Sequence, residues 1–188
     1  MQKYFAALTI VLLLGMVLAR SLVMQRQGTR AIHFGSIDKT DFLIPPFALL
    51  YFYMIFVPSL NWPALSTQRF FQSDILAWVG VGLCAVGLLL MLWSLVSFGM
   101  SFRVGIDTER PDNLVTTGAF ALSRNPIYVA FFMVMIGQFL IQPNWILLVY
   151  AAGTTWLFHR QVLREEAYLR QHYGHDYTDY VNRVRRYL

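Results

Sequence analysis

A single cysteine, two lysines and a charged fraction of 13% over 188 residues set the first limits on this chain. One thiol, Cys84, closes no intramolecular disulfide and builds no cysteine metal site, and its apolar neighbours mark it as a small buried hydrophobe. The four histidines (His33, His159, His172 and His175) lack the His-Glu-x-x-His spacing of a zinc helix, so no metal is expected. Soluble domains carry about a quarter charged residues, and a chain this poor in charge cannot clothe itself for water. The net charge of +5 comes almost entirely from arginines beside apolar stretches, not from a basic face with interleaved aromatics. That pattern excludes a nucleic-acid partner and points to anionic lipid headgroups as the counter-charge.

What the chain does have is long uncharged sequence. Residues 4–19 carry no charge and apolar character resumes at 22–24, while 42–68, 75–102 and 125–159 are also free of charge. A helix crosses a bilayer with roughly 20 apolar residues. The first three stretches therefore read as three transmembrane helices, the first kept as a span and not a signal peptide because more spans follow it. Pro45-Pro46 suits the start of the second and Pro58 a kink or end, while Gly80, Gly82 and Gly87 offer close helix approach in the third. The fourth stretch is too long for one crossing and short for two. Gln142-Pro143-Asn144 breaks it near its middle into a tight hairpin of two short helices.

The expected architecture is all-α: one polytopic membrane domain over 1–188 with about five transmembrane helices. Residues 1–98 supply three of them, and 99–188 supply a loop, the hairpin and an amphipathic C-terminal helix. Of 15 basic residues, 13 fall in the segments after the first span, between 103 and 124, and from 160 onward. The positive-inside rule then places that face in the cytoplasm and the N-terminus outside.

The same face gathers the candidate chemistry, including Asp107, Glu109, Asp112, Glu165, Glu166, Asp176 and Asp179. The loop after the third span places Leu114 and Val115 to line an apolar slot, with backbone groups near Gly118 open to a polar ligand. Asn125-Pro126 sets up a helix N-terminus whose free N–H groups favour a carboxylate, and Tyr128 brings a hydroxyl to headgroup level. Glu165 and Glu166 point about 100° apart on a helix and so serve different ends. One faces a ligand cation; the other is solvated or paired with Arg170. Leu163, Tyr168, Leu169 and Tyr173 recur at spacings that suit one apolar helical stripe. If the ligand is an amine, Glu165 or Glu166 is the candidate base; if a carboxylate, Arg103, Arg160 or Arg164 would orient it.

Four motifs together carry a resemblance: Leu-Val-Thr-Thr-Gly-Ala-Phe at 114–120, Ser-Arg-Asn-Pro-Ile-Tyr at 123–128, Glu-Glu-x-x-Leu-x-x-x-Tyr-Gly-x-x-Tyr-x-x-Tyr at 165–180 and Val-Arg-Arg-Tyr at 184–187. Residues 99–188 closely resemble the isoprenylcysteine carboxyl methyltransferase and phospholipid methyltransferase family, whereas 1–98 match only in being hydrophobic. The resemblance implies S-adenosylmethionine as cofactor and a membrane lipid or lipophilic small molecule as acceptor, entering sideways from the bilayer. By position, Asp112, Asn113, Leu114, Val115 and Phe120 would surround the cofactor, with Asn125, Pro126, Ile127 and Tyr128 forming a turn beside it. Glu165 would approach the cofactor's ammonium or the reacting centre, with Gln161 and Arg164 toward the acceptor. Three positions depart from the pattern: Asn125 stands for a usual histidine, Phe120 for a frequent tyrosine, and Gln161 for the arginine that serves the substrate in the isoprenylcysteine enzymes. Two alternatives remain. Sterol and steroid reductases share a similar turn and bind NADPH, although they follow the tyrosine with Gly-Glu where this chain has Val129-Ala130-Phe131. A non-enzymatic lipid-binding or transport protein would leave the acids free of any cofactor.

Overall fold

The computed structural model describes residues 1–26, 44–63, 69–98 and 114–188. Among them every regular element is helical: α1 (Gln2–Arg26), α2 (Ile44–Leu60), α3 (Asp74–Phe98), a short 3-10 turn (Gly118–Ala121), α4 (Pro126–Ile141) and α5 (Trp145–Arg183). The segment Gln2–Val23 of α1 and the whole of α3 are long and apolar enough to cross a membrane, and Ala48–Leu60 and Pro126–Ile141 are shorter apolar helices. Leu8, Val11, Leu12, Trp78, Val86, Leu89 and Val96 are exposed on the outward faces of α1 and α3, the surface of a membrane protein rather than of one clothed in water.

The expected break between the last two helices is present and has a clear cause. α4 ends at Ile141, and α5 begins at Trp145, where the Asn144 side chain caps the helix by accepting from the Leu147 amide at 3.0 Å. The amphipathic tail, expected as a separate helix, is instead continuous with the fifth. α5, Trp145–Arg183, is two helical stretches that meet at a kink at Gly174, whose φ of 53° is positive-φ backbone that glycine adopts at little cost, so the expected tail residues 161–173 extend the fifth helix. Its inward face also differs from the expected stripe. Leu163 is 42% exposed, while Val162 and Glu166, four residues apart, are buried. The apolar pattern missed this because an inward position is held by an acid whose charge is met by arginines.

α3 and α4 form the central contact of the bundle, and small residues make it close. A Cβ on Gly137 would sit 2.6 Å from the Gly80 carbonyl oxygen and 3.1 Å from the Cys84 amide, and one on Gly87 would sit 3.0 Å from the Ala130 carbonyl oxygen. Gly82, expected on the same seam, faces open space instead, with nothing within 4 Å. Cys84 lies on the seam, buried. Since the obstacle is backbone, Gly137→Ala is expected to destabilise the protein by about 1–3 kcal/mol. Gly82→Ala should leave it unchanged or stabilise it by up to about 1 kcal/mol. Thermal unfolding in detergent checks both.

α1 lies antiparallel to α4 and parallel to α3. The Gln138 side chain donates to the Ala6 carbonyl at 2.9 Å, Phe5 meets Trp78 with ring centroids 6.0 Å apart, and Met16 packs on the cluster of Met91, Leu95 and Ala130. These registers bring the end of α1, the end of α3, the 3-10 turn and the start of α4 to one end of the bundle.

Candidate active site

That end is knit together by the polypeptide around residues 118–125 and 180–187. Ser97, at the end of α3, receives the Ala119 amide at 3.0 Å, and Gly118 takes a φ of 63° where a Cβ would run into the Ser97 side chain. Phe120 lies buried edge-on against Phe98, with ring centroids 4.8 Å apart, and its carbonyl accepts from the Tyr180 hydroxyl at 2.7 Å. The Arg124 amide donates to the Arg185 carbonyl at 2.9 Å, and the Ser123 hydroxyl donates to the Arg186 carbonyl at 3.1 Å. Sequence reading gave Ser123, Tyr180 and Arg186 no role, although each sits in a motif that marked the region.

Glu166 is the electrostatic centre of this joint. Its Oε1 lies 3.3 Å from Arg124 Nη2 and accepts from Asn125 Nδ2 at 3.1 Å; its Oε2 accepts from Arg186 Nε at 3.0 Å and Nη2 at 2.9 Å. Asn125 also donates to the Arg186 carbonyl at 3.2 Å. The pairing with Arg170 or solvent expected for the second glutamate is thus corrected: Glu166 is 7% exposed and held by two other arginines. Burying a carboxylate this deeply is costly unless it is paired and hydrogen-bonded, as it is here. Its hydrogen bond in turn holds the Arg186 guanidinium above its ordinary pKa.

Glu165, one residue away, lives differently. Tyr128 donates its hydroxyl to Oε1 at 2.8 Å and Gln161 donates to the same oxygen at 3.0 Å. Both donors are neutral, and among the described residues no cation pairs with this carboxylate and nothing donates to Oε2. Burial pushes the Glu165 carboxyl above its ordinary pKa, and the bonds from Gln161 and Tyr128 pull the other way. The folded chain therefore holds this proton more tightly than the unfolded one. The sign follows: unfolding free energy should fall as pH rises from about 4.5 through the raised value, and Glu165→Gln should flatten that slope. Thermal midpoints taken between about pH 4 and pH 7 test it.

The other expected site residues are distributed around this pair. Pro126 is buried at the first position of α4, Ile127 packs on the cluster of Met91, Leu95 and Ala130, and Tyr128 meets Phe158 edge-on with centroids 5.3 Å apart. Leu114 and Val115 are partly buried. Arg164 is exposed, and Arg160 is exposed with its guanidinium 5.4 Å from the Trp156 ring, so nothing brings Arg160 to the two glutamates. Arg103, Asp112 and Asn113 lie outside the described residues. Among the described residues no group of three His, Cys, Asp or Glu side chains could hold a metal ion. At the rim, His159 Nδ1 and the Tyr187 hydroxyl are 2.9 Å apart.

Two buried polar atoms of this joint, the Tyr177 hydroxyl and Arg124 Nε, have no hydrogen-bond partner among the described residues. The Tyr177 hydroxyl is pushed up to about 12 by burial and the nearby Glu166 charge. Such atoms are rare in native proteins.

Comparison with known proteins decides the family. The sequence profile of the phospholipid methyltransferase family matches residues 75–176, more than half of the chain. The chain belongs to this family. Protein-S-isoprenylcysteine O-methyltransferase of Mus musculus is 32% identical over 129 residues, covering 67% of this chain and 44% of that protein. The Homo sapiens protein of the same name is 31% identical, covering 66% and 46%, and protein-S-isoprenylcysteine O-methyltransferase B of Arabidopsis thaliana is 30% identical, covering 56% and 55%. The chain thus spans about half the length of the relatives it matches. The matched family segment contains α4, its turn and both glutamates, while Tyr177, Tyr180, Arg185 and Arg186 lie just beyond it.

Proposed function

We propose that this chain is an S-adenosylmethionine-dependent methyltransferase acting on a lipophilic, membrane-resident acceptor, with its cofactor on the arginine-rich, cytoplasmic side of about five membrane-crossing segments. The observation that carries the reading is Glu165, a sheltered carboxylate held, among the described residues, by the neutral donors Tyr128 and Gln161 inside the segment shared with the methyltransferase family. A shielded carboxylate that no cation pairs with among the described residues is one whose charged form a positively charged ligand would favour. When bound, S-adenosylmethionine supplies an electrophilic methyl on a cationic sulfur, whose carbon–sulfur bond breaks with both electrons going to sulfur as the acceptor bonds the methyl.

The chain's own residues have three tasks around that chemistry. Tyr128 and Gln161 fix Glu165 Oε1, so Oε2 is aimed by a rigid support and not by a free rotor. The Glu166–Arg124–Arg186 cluster locks the 123–128 turn to the C-terminal residues and closes that wall of the site against water. If the acceptor is an amine, Glu165 takes its proton, a role suited to a carboxyl raised above its ordinary range. If the acceptor is a carboxylate, no proton has to move and Glu165 acts through charge alone. Leu114 and Val115 would face the cofactor across from Tyr128, with Asp112 and Asn113 before them, and Gln161 and Arg164 would stand toward the acceptor.

Binding to detergent-purified protein tests the reading. S-adenosylhomocysteine is expected to bind selectively in the micromolar range, and NADPH not to bind. NADPH binding alone would convert the site to a reductase, and binding of neither would remove the enzymatic reading.

A further inference from the structure

Arg20 lies on the inward side of α1. Ala6, Thr9, Ile10, Leu13 and Ser21 are buried on one stripe of the helix, and Arg20, eleven residues beyond Thr9 and seven beyond Leu13, falls on it. The basic flank expected after the first span therefore begins inside the helix, which continues to Arg26. Arg20 Nε and Nη2 are both buried and have no hydrogen-bond partner among the described residues. An ionisable side chain facing inward from an apolar helix carries a large desolvation cost and marks a functional position unless it is paired.

The register places it at the site. Gln2 lies beside Asp74, Phe5 beside Trp78, and Met16 against the cluster of Met91, Leu95 and Ala130, on which Phe98 and Ile127 also pack. One further turn, about 6 Å of rise, brings Arg20 to the level of the end of α3 and the start of α4, where Tyr128 meets Glu165. The two orphaned nitrogens form one edge of the guanidinium, and Arg186 shows in this same protein what that edge accepts: its Nε and Nη2 both donate to a carboxylate oxygen of Glu166. That edge presents two parallel donors matched to a carboxylate or phosphate. Among the described residues, the acids at this end are already engaged, Glu166 by Arg124 and Arg186 and Glu165 by Tyr128 and Gln161.

We propose that Arg20 is the anion-binding residue of the acceptor site, gripping the carboxylate or phosphate head of a lipophilic acceptor that reaches the site along α1. The assignment rests on the methyltransferase reading for the word acceptor, but anion binding by Arg20 stands on the geometry alone. It also supplies a substrate-facing arginine from α1 in a chain that has Gln161 on α5.

Quenching of tryptophan fluorescence by three amphiphiles in neutral detergent tests it: palmitate, dodecyl phosphate and uncharged hexadecanol. The wild-type protein is expected to bind at least one anionic probe tenfold or more tighter than hexadecanol. Arg20→Gln should lose that preference without changing hexadecanol binding, and Arg20→Lys should keep part of it. Loss confined to palmitate assigns a carboxylate head, and loss confined to dodecyl phosphate assigns a phosphate; either supports the proposal. A wild-type protein without anionic preference, or an Arg20→Gln protein that keeps it, overturns the proposal. So does equal weakening for all three probes, which would mean Arg20 only supports the fold. If Arg20→Gln does not fold, the wild-type preference and its reduction in Arg20→Lys decide. S-adenosylhomocysteine binding, measured on the same samples, separates the outcomes: its absence with anion selectivity intact removes the methyltransferase reading and leaves the anion site standing.

Discussion

Replacing Glu165 with glutamine should reduce turnover by about 10²–10⁴-fold while leaving the protein folded and membrane-inserted. The change is nearly isosteric, and the amide oxygen still accepts from Tyr128 and Gln161, which lie 2.8 and 3.0 Å from Oε1. What disappears is the negative charge and the ability to take a proton. The two roles separate in measurement. If the charge holds the cofactor's cationic part, S-adenosylhomocysteine affinity falls with turnover. If Glu165 acts as a base toward an amine, affinity is kept and turnover alone collapses, with loss of the acidic limb of the pH–rate profile. Unchanged turnover and binding would remove Glu165 from the site.

Glu166→Gln should act on stability. The wild-type carboxylate neutralises Arg124, whose side chain is 8% exposed, and also receives two donors from Arg186. Removing one partner of a buried ion pair leaves an uncompensated buried charge and costs about 3–5 kcal/mol. The thermal midpoint in detergent should fall accordingly, and residues 184–187 should lose hydrogen-exchange protection first, because the Arg185 and Arg186 carbonyls depend on the same joint. Arg186→Gln should cost less, since that side chain is 38% exposed and water takes over part of its solvation. A midpoint for Glu166→Gln within about 1 kcal/mol of wild type would show that the cluster does not hold the tail.

The two glutamates show how far the sequence carried. Glu165-Glu166 announced a site, and their 100° separation announced two roles, but nothing local told which was which. Glu166 faces inward only because Arg124 lies 42 residues before it and Arg186 20 residues after it, and such partners come together through chain folding that an apolar stripe does not encode. Leu163, expected on the apolar stripe, is exposed for that reason, while Tyr168, Leu169 and Tyr173 are partly buried. Gly80 and Gly87 were rightly read as close-approach positions and Gly82 wrongly, because spacing identifies a face only once the facing helix is known. Asn125 stands in the expected turn before Pro126, and its side chain bridges Glu166 and the Arg186 carbonyl, partners that no local pattern named.

The amino-acid order alone determined that this is an apolar, all-helical chain with its helix break at Gln142-Pro143-Asn144, and its four C-terminal motifs were enough to indicate the family. These are properties of local composition, periodicity and short motifs, which act over a few turns of chain. The tertiary structure decided the rest: α5 continuous through the expected tail, Glu166 in a buried arginine clasp, Glu165 held by neutral donors, and Arg20 facing inward at their level. Each of these depends on burial and on partners distant in sequence. The free energy of a charge is set by the water it loses and the groups it meets, and only the packed helices specify both.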